Sequence, residues 1–96
     1  MDKPYIIAEI ANAAQGQYKK NFELIDVSKN SGADAVKIQL YKYDELCIPS
    51  YPKYDIYVNT FYTSEQRSEF IKYIDKQGVD VWVDICDKWG LQVAKD

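Results

Sequence analysis

Between Ala35 and Leu40 the chain alternates strictly, with Val36, Ile38 and Leu40 on one side and Ala35, Lys37 and Gln39 on the other. Successive strand residues point to opposite faces, so this run predicts a strand with one apolar and one polar face. Val79 to Ile85 repeats the pattern: Val79, Val81, Val83 and Ile85 share one parity, and Asp80, Trp82 and Asp84 the other. A shorter β-branched and aromatic run, Tyr5 to Ile10, predicts a first strand that ends at the small and polar stretch Ala11 to Gly16. The period changes between these runs. Tyr18, Phe22 and Ile25, widened by Leu24, fall at helical spacing within Gln17 to Ser31, and Gly32 supplies a helix-ending residue. Thr63 with Gln66 matches a capping box, and Arg67, Phe70, Ile71 and Ile74 give the i, i+3, i+4, i+7 stripe of a second helix ending at Gly78. Asp87 to Asp96 reads as the start of a third helix. Tyr41 to Tyr62, with two prolines and six tyrosines, reads as a long loop holding one brief extended stretch at Asp55 to Asn59.

The order is β-α-β-α-β with a further helix beginning. Strands separated by single helices imply parallel pairing and right-handed crossovers. Central strands of an open sheet covered on both faces are apolar throughout, whereas here Glu9, Lys37, Gln39 and Asp84 interrupt one parity. Placing the valines and isoleucines against helices turns those four toward a common interior, three of them near strand carboxyl ends, where barrel enzymes build their sites. The fold class expected is therefore α/β, part of a (β/α)8 TIM-type barrel. A whole barrel takes roughly 250 residues, so residues 1–96 are read as an N-terminal segment of one.

Charge and composition narrow the partners. Twelve Lys and Arg against 15 Asp and Glu leave a net charge of -3, with the cations scattered, which argues against nucleic acid. No apolar run approaches the ~20 residues of a membrane span, and Met1 to Pro4 leads into the first strand without a signal-peptide layout, so the cytoplasm is the expected location. Cys47 and Cys86 lack metal or disulfide spacing and read as free packing thiols. The absence of histidine removes the commonest metal ligand and general base.

Glu9, Lys37, Gln39 and Asp84 thus form a polar cluster drawn from three neighbouring strands. Charges placed together inside a fold are either mutually paired or built for a ligand. The plain alternative is a Glu9–Lys37 ion pair that only fills the interior.

Ile6-Ile7-Ala8-Glu9-Ile10 followed by Asn12 and Gly16, then Gly32-Ala33-Asp34-Ala35-Val36-Lys37-Ile38-Gln39, resembles the first two strands of the N-acetylneuraminate (sialic acid) synthase family. Thr63-Ser64-Glu65-Gln66 and Gly78-Val79 continue the resemblance, and the Gly-Ala-Asp-Ala-Val-Lys-Ile-Gln run is its specific part. The resemblance implies condensation of phosphoenolpyruvate with an N-acyl mannosamine-type sugar to a nine-carbon 2-keto sugar acid. It implies Glu9 as the catalytic residue, orienting water or a sugar hydroxyl, Lys37 on an anionic group of phosphoenolpyruvate, and Gln39 on the sugar. Asn12, which belongs to the matching stretch, and Asp84, from the polar cluster, are likewise expected to bind substrate. A divalent cation (Mn or Mg) is implied as well, its ligands on later strands and none in this chain. Homodimers or self-association are expected, and this segment by itself is expected to be inactive.

Two departures stand beside the matches. The family's Gly-x-Asn-His-x-Gly type loop is replaced by Ala11-Asn12-Ala13-Ala14-Gln15-Gly16, without histidine. Its Ser-Thr-Pro-Phe-Asp run is replaced by Val83-Asp84-Ile85-Cys86-Asp87, which puts a carboxylate where phosphate is expected. Two other readings are a non-catalytic α/β binding or assembly module of the same ancestry, and an aldolase in which Lys37 forms a Schiff base. The loop tyrosines are expected to pack against the rim, and Trp82 and Trp89 to pack rather than to bind.

Overall fold

The structure is a computed structural model that describes residues 3–96. Met1 and Asp2, part of the stretch read for a signal peptide, lie outside the described residues. Three strands, β1 (Ile7–Glu9), β2 (Ala35–Leu40) and β3 (Asp80–Ile85), form one parallel sheet in the order β1-β2-β3. Helix α1 (Lys20–Asn30) connects the first two. After β2 come two short helices, α2 (Tyr43–Leu46) and α3 (Tyr54–Asn59), then α4 (Ser64–Lys76), and α5 (Lys88–Lys95) follows β3.

The alternation in β2 decides how the layers stack. Val36, Ile38 and Leu40 share one face, are 2% exposed or less, and form a core with Ile25 of α1, Ile74 of α4 and Val93 of α5. All three long helices therefore cover the same side of the sheet. Parallel strands added in one direction through right-handed crossovers give this one-sided layer, whereas an open doubly wound sheet reverses direction and takes helices on both faces. Among the described residues the other face of the sheet carries no helix, and Glu9, Lys37, Gln39, Trp82 and Asp84 belong to its parity. Val81 and Val83 pack against the core as their parity predicts, but Ile85, at the end of β3, is 46% exposed.

Helix ends follow local chemistry. Thr63 Oγ1 accepts from Gln66 N–H at 3.2 Å while Gln66 Oε1 accepts from Thr63 N–H at 2.9 Å, which is the reciprocal cap its sequence predicts. Asp87 caps α5 by accepting from Gly90 N–H at 2.7 Å, and its second oxygen accepts from Lys42 N–H at 2.7 Å, tying the segment after β2 to the segment after β3. Gly90 is buried where α5 meets the end of β2, and a Cβ there would collide with the Leu40 carbonyl oxygen.

The expected elements differ from the observed ones in their limits. Only Ile7–Glu9 pairs with β2, so the first strand is shorter than Tyr5 to Ile10. The first helix starts at Lys20 rather than near Gln17, and β3 starts at Asp80. Tyr41 to Tyr62 contains two short helices, and Asp55–Asn59 is helical rather than extended. Its β-branched and aromatic residues favour a strand, but β propensity reflects the packing available on a sheet. Among the described residues no strand pairs with this segment, so i→i+4 bonds such as Thr60 N–H to the Ile56 carbonyl at 3.0 Å satisfy the backbone instead.

The loop tyrosines mostly pack. Tyr43 meets Tyr54 and Phe61 edge-on at 5.9 and 5.4 Å. Tyr62 joins Tyr18, Phe22, Phe70 and Tyr73 in an aromatic wedge between α1 and α4, with centroids 5.0 to 6.3 Å apart. Trp89 likewise packs on Phe61 at 5.4 Å. Trp82 does not follow that expectation: it is 48% exposed on the helix-free face, where its indole N–H donates to Tyr5 Oη at 3.1 Å. Both cysteines are free, and Cys86 is exposed rather than packed.

Candidate functional site

The register sets the site. Glu9 pairs with Lys37, Lys37 with Trp82, and Gln39 with Asp84 across three adjacent strands. Directly paired residues of one parity lie side by side on one face, so a long lysine stem reaches carboxylates on both neighbours. Lys37 Nζ lies 2.8 Å from Glu9 Oε2 and 3.3 Å from Asp84 Oδ2. The pair expected as the plain alternative forms, and Asp84 extends it to a three-residue network with one cation and two anions. The Lys37 side chain is 26% exposed and the two carboxylates 39% and 45%, so solvent reaches all three groups. The bond to Glu9 first, and that to Asp84 second, raise the Lys37 pKa above its ordinary 10.5, against a smaller opposing effect of desolvation. An amine held more firmly as an ammonium is the opposite of what Schiff-base chemistry needs.

Gln39 is half-buried beside Asp84 and stands outside the Lys37 ion pairs. Asn12 goes elsewhere. It lies in the turn after β1, and its Oδ1 accepts from the Tyr41 hydroxyl at 3.2 Å. Of the residues expected at the site, the structure therefore joins Glu9, Lys37 and Asp84, sets Gln39 alongside, and places Asn12 in a second cluster. The turn is backbone-strained: Ala11 and Gln15 take φ of 41° and 53°, a region unfavourable to a residue with a Cβ.

That second cluster lies beyond the ends of β2 and β3. Tyr41, 1% exposed, has its hydroxyl 3.0 Å from the Thr60 carbonyl and 2.5 Å from Thr60 Oγ1. Arg67 of α4, 3% exposed, lies between the rings of Tyr41 and Tyr62 at 5.3 and 4.9 Å. Its Nε and Nη2 have no acceptor among the described residues. Burial lowers the Arg67 pKa, partly offset by Tyr41, and burial likewise raises that of Tyr41. On the α1 side, Asn21 Nδ2 donates to Tyr62 Oη at 2.9 Å. Sequence reasoning missed this cluster, although Arg67 occupies a position of the apolar stripe of α4, and a charge inside such a stripe is the signal for a buried one.

Among the described residues no group of three or more His, Cys, Asp or Glu is placed to hold a metal ion. A shallow apolar pocket of about 390 Å³ is lined by Leu46, Cys47, Ile48, Tyr51 and Tyr57, and includes none of the ion-paired residues. No helix is long and apolar enough to cross a membrane.

No family model matches the sequence, and no curated protein matches it. Solved structures do. The N-acetylneuraminic acid (sialic acid) synthetase of Leptospira borgpetersenii serovar Hardjo-bovis, in complex with citrate, superposes with a TM-score of 0.88 at 18% identity over 98% of this chain. The spore coat polysaccharide biosynthesis protein SpsE of Bacillus subtilis superposes with a TM-score of 0.70 at 26% identity over 99% of it. The resemblance to the sialic acid synthases is borne out. The chain spans 33% and 27% of those two structures, so what it shares with the sialic acid synthetase is the fold of about a third of that protein. The α/β class with parallel strands stands on the same footing.

Proposed function

We propose that the chain is part of a sialic-acid-synthase-like enzyme, three strands of a (β/α)8 barrel, that condenses phosphoenolpyruvate with an N-acyl mannosamine-type sugar to a nine-carbon 2-keto sugar acid. The observation that carries this reading is the Lys37 ammonium, held by Glu9 and Asp84 on the helix-free face of a parallel sheet. In that role Lys37 is a fixed point charge for the phosphate or carboxylate of phosphoenolpyruvate. Glu9 orients the attacked sugar or a water molecule by accepting a hydrogen bond, Gln39 donates to a sugar hydroxyl, and Asn12 holds substrate at the rim. A divalent cation would polarise the sugar aldehyde when bound. None of its ligands is assigned to this chain, and no step is derived through it.

Completion of the barrel, or pairing with a second copy, would cover surface that is open in this chain. Ile7, Trp82 and Ile85 are 38%, 48% and 46% exposed on or beside the sheet, and β1 and β3 each pair on one side only among the described residues. Self-association or homodimer formation belongs to the proposal for that reason, as does a cytoplasmic location, where phosphoenolpyruvate is supplied.

The test is an assay of the protein made from the uninterrupted native reading frame. With phosphoenolpyruvate, N-acetylmannosamine and Mn²⁺ it should release one phosphate per phosphoenolpyruvate consumed, and Lys37→Met should abolish turnover. A protein that neither binds nor consumes phosphoenolpyruvate refutes the reading in favour of the non-catalytic module.

A further inference from the structure

The Lys37 ammonium has three N–H donors, and two are directed at carboxylates from opposite sides, Glu9 at 2.8 Å and Asp84 at 3.3 Å. The local sum is one positive and two negative charges, so the group offered to an anion is already neutralised in excess. The two carboxylates are not equivalent. Glu9 lies directly opposite Lys37 in the register at the shorter distance. Asp84 pairs with Gln39 and reaches Lys37 diagonally, two positions along β3, through a longer contact made by its more exposed carboxylate. The diagonal contact is the weaker one, and an incoming anion would replace it first.

We infer that Asp84 is an internal competitor for the anion site, occupying the Lys37 face that a phosphate or carboxylate ligand would take and so setting the affinity and anion selectivity of that site. This rests on the reading that Lys37 is the ligand-binding cation, and it adds a specificity-determining role for Asp84. A ligand gains Lys37 only by displacing the Asp84 carboxylate, and even then meets its negative charge within a few ångströms. Dianionic phosphates are penalised most. Gln39, neutral and adjacent in the register, is left free to donate to the ligand in either state.

The experiment titrates inorganic phosphate and, separately, phosphoenolpyruvate into the full chain. It follows the backbone amides of Glu9, Lys37 and Asp84 by NMR in the unaltered protein, Asp84→Asn, Asp84→Ser and Asp84→Asn/Lys37→Met, with circular dichroism verifying the fold of each. Removing the competing carboxylate should tighten both anions by roughly three- to tenfold, given the modest strength of partly exposed ion pairs and the repulsion removed with it. The gain should vanish in the double variant. Unchanged or weaker phosphate binding in both single variants overturns the inference, and so does a gain that survives loss of Lys37. Tighter phosphate binding with no response to phosphoenolpyruvate upholds the role of Asp84 and sinks the proposed substrate instead.

Discussion

Replacing Arg67 by methionine tests how a buried guanidinium is held. Two aromatic faces at 5.3 and 4.9 Å attract the cation, each contributing about 0.5–2 kcal/mol, or about 1–4 kcal/mol together. Against that stand two buried donors, Nε and Nη2, without an acceptor among the described residues, each costing about 1–3 kcal/mol. Together the two donors cost about 2–6 kcal/mol, a range that overlaps the attraction but is centred about 1.5 kcal/mol above it. Methionine keeps most of the stem and its packing while removing both the attraction and the cost, so Arg67→Met should leave stability unchanged or raise it by up to about 2 kcal/mol. Arg67→Ala also removes the packed stem and should lose about 2–4 kcal/mol through the cavity it leaves. Urea denaturation followed by circular dichroism measures both, provided the slopes agree with a two-state transition. A loss of about 3 kcal/mol or more for Arg67→Met would mean that the guanidinium has an acceptor worth more than the two rings, and the excess of desolvation over attraction in this cluster would be refuted.

Gly90→Ala should destabilise the protein by about 1–3 kcal/mol in the same assay, because a Cβ there meets the Leu40 carbonyl; helix propensity alone would favour alanine by about 1 kcal/mol, so the sign is the test. Ala11→Gly should leave stability unchanged or raise it by up to about 1 kcal/mol, since relief of the left-handed backbone at φ 41° exceeds the added freedom of the unfolded chain; a clear loss would show that the turn is not strained. Thr63→Ala should cost about 1 kcal/mol by opening the reciprocal cap of α4, and no measurable loss would show the cap to be dispensable. Borohydride reduction in the presence of pyruvate at neutral pH should leave Lys37 unlabelled: its pKa lies above the ordinary 10.5, so the amine is protonated throughout that range and loses its ion-pair stabilisation only in strong alkali. A reduced adduct on Lys37 would restore the aldolase reading.

The sequence alone determined what depends on neighbours along the chain. Strict alternation in Ala35–Leu40 and Val79–Ile85, the Thr63–Gln66 cap and the glycines Gly32 and Gly78, which end α1 and α4 with positive φ, each report on a few adjacent residues, and each is found where the pattern puts it to within one residue. Parity also placed Glu9, Lys37 and Asp84 on one face, because parallel strands carry alternation across a sheet without change of side. What depends on distance came from the three-dimensional packing. It set the register that brings Asp84 diagonally onto Lys37, drew Asn12 away to Tyr41, and buried Arg67 between Tyr41 and Tyr62, the two ends of the long loop. Asp55–Asn59 makes the same point from the other side. Its residues suit a strand, yet with no strand lying alongside it among the described residues, the backbone closed on itself as a helix, since hydrogen bonds must be made with whatever partner the fold brings within reach.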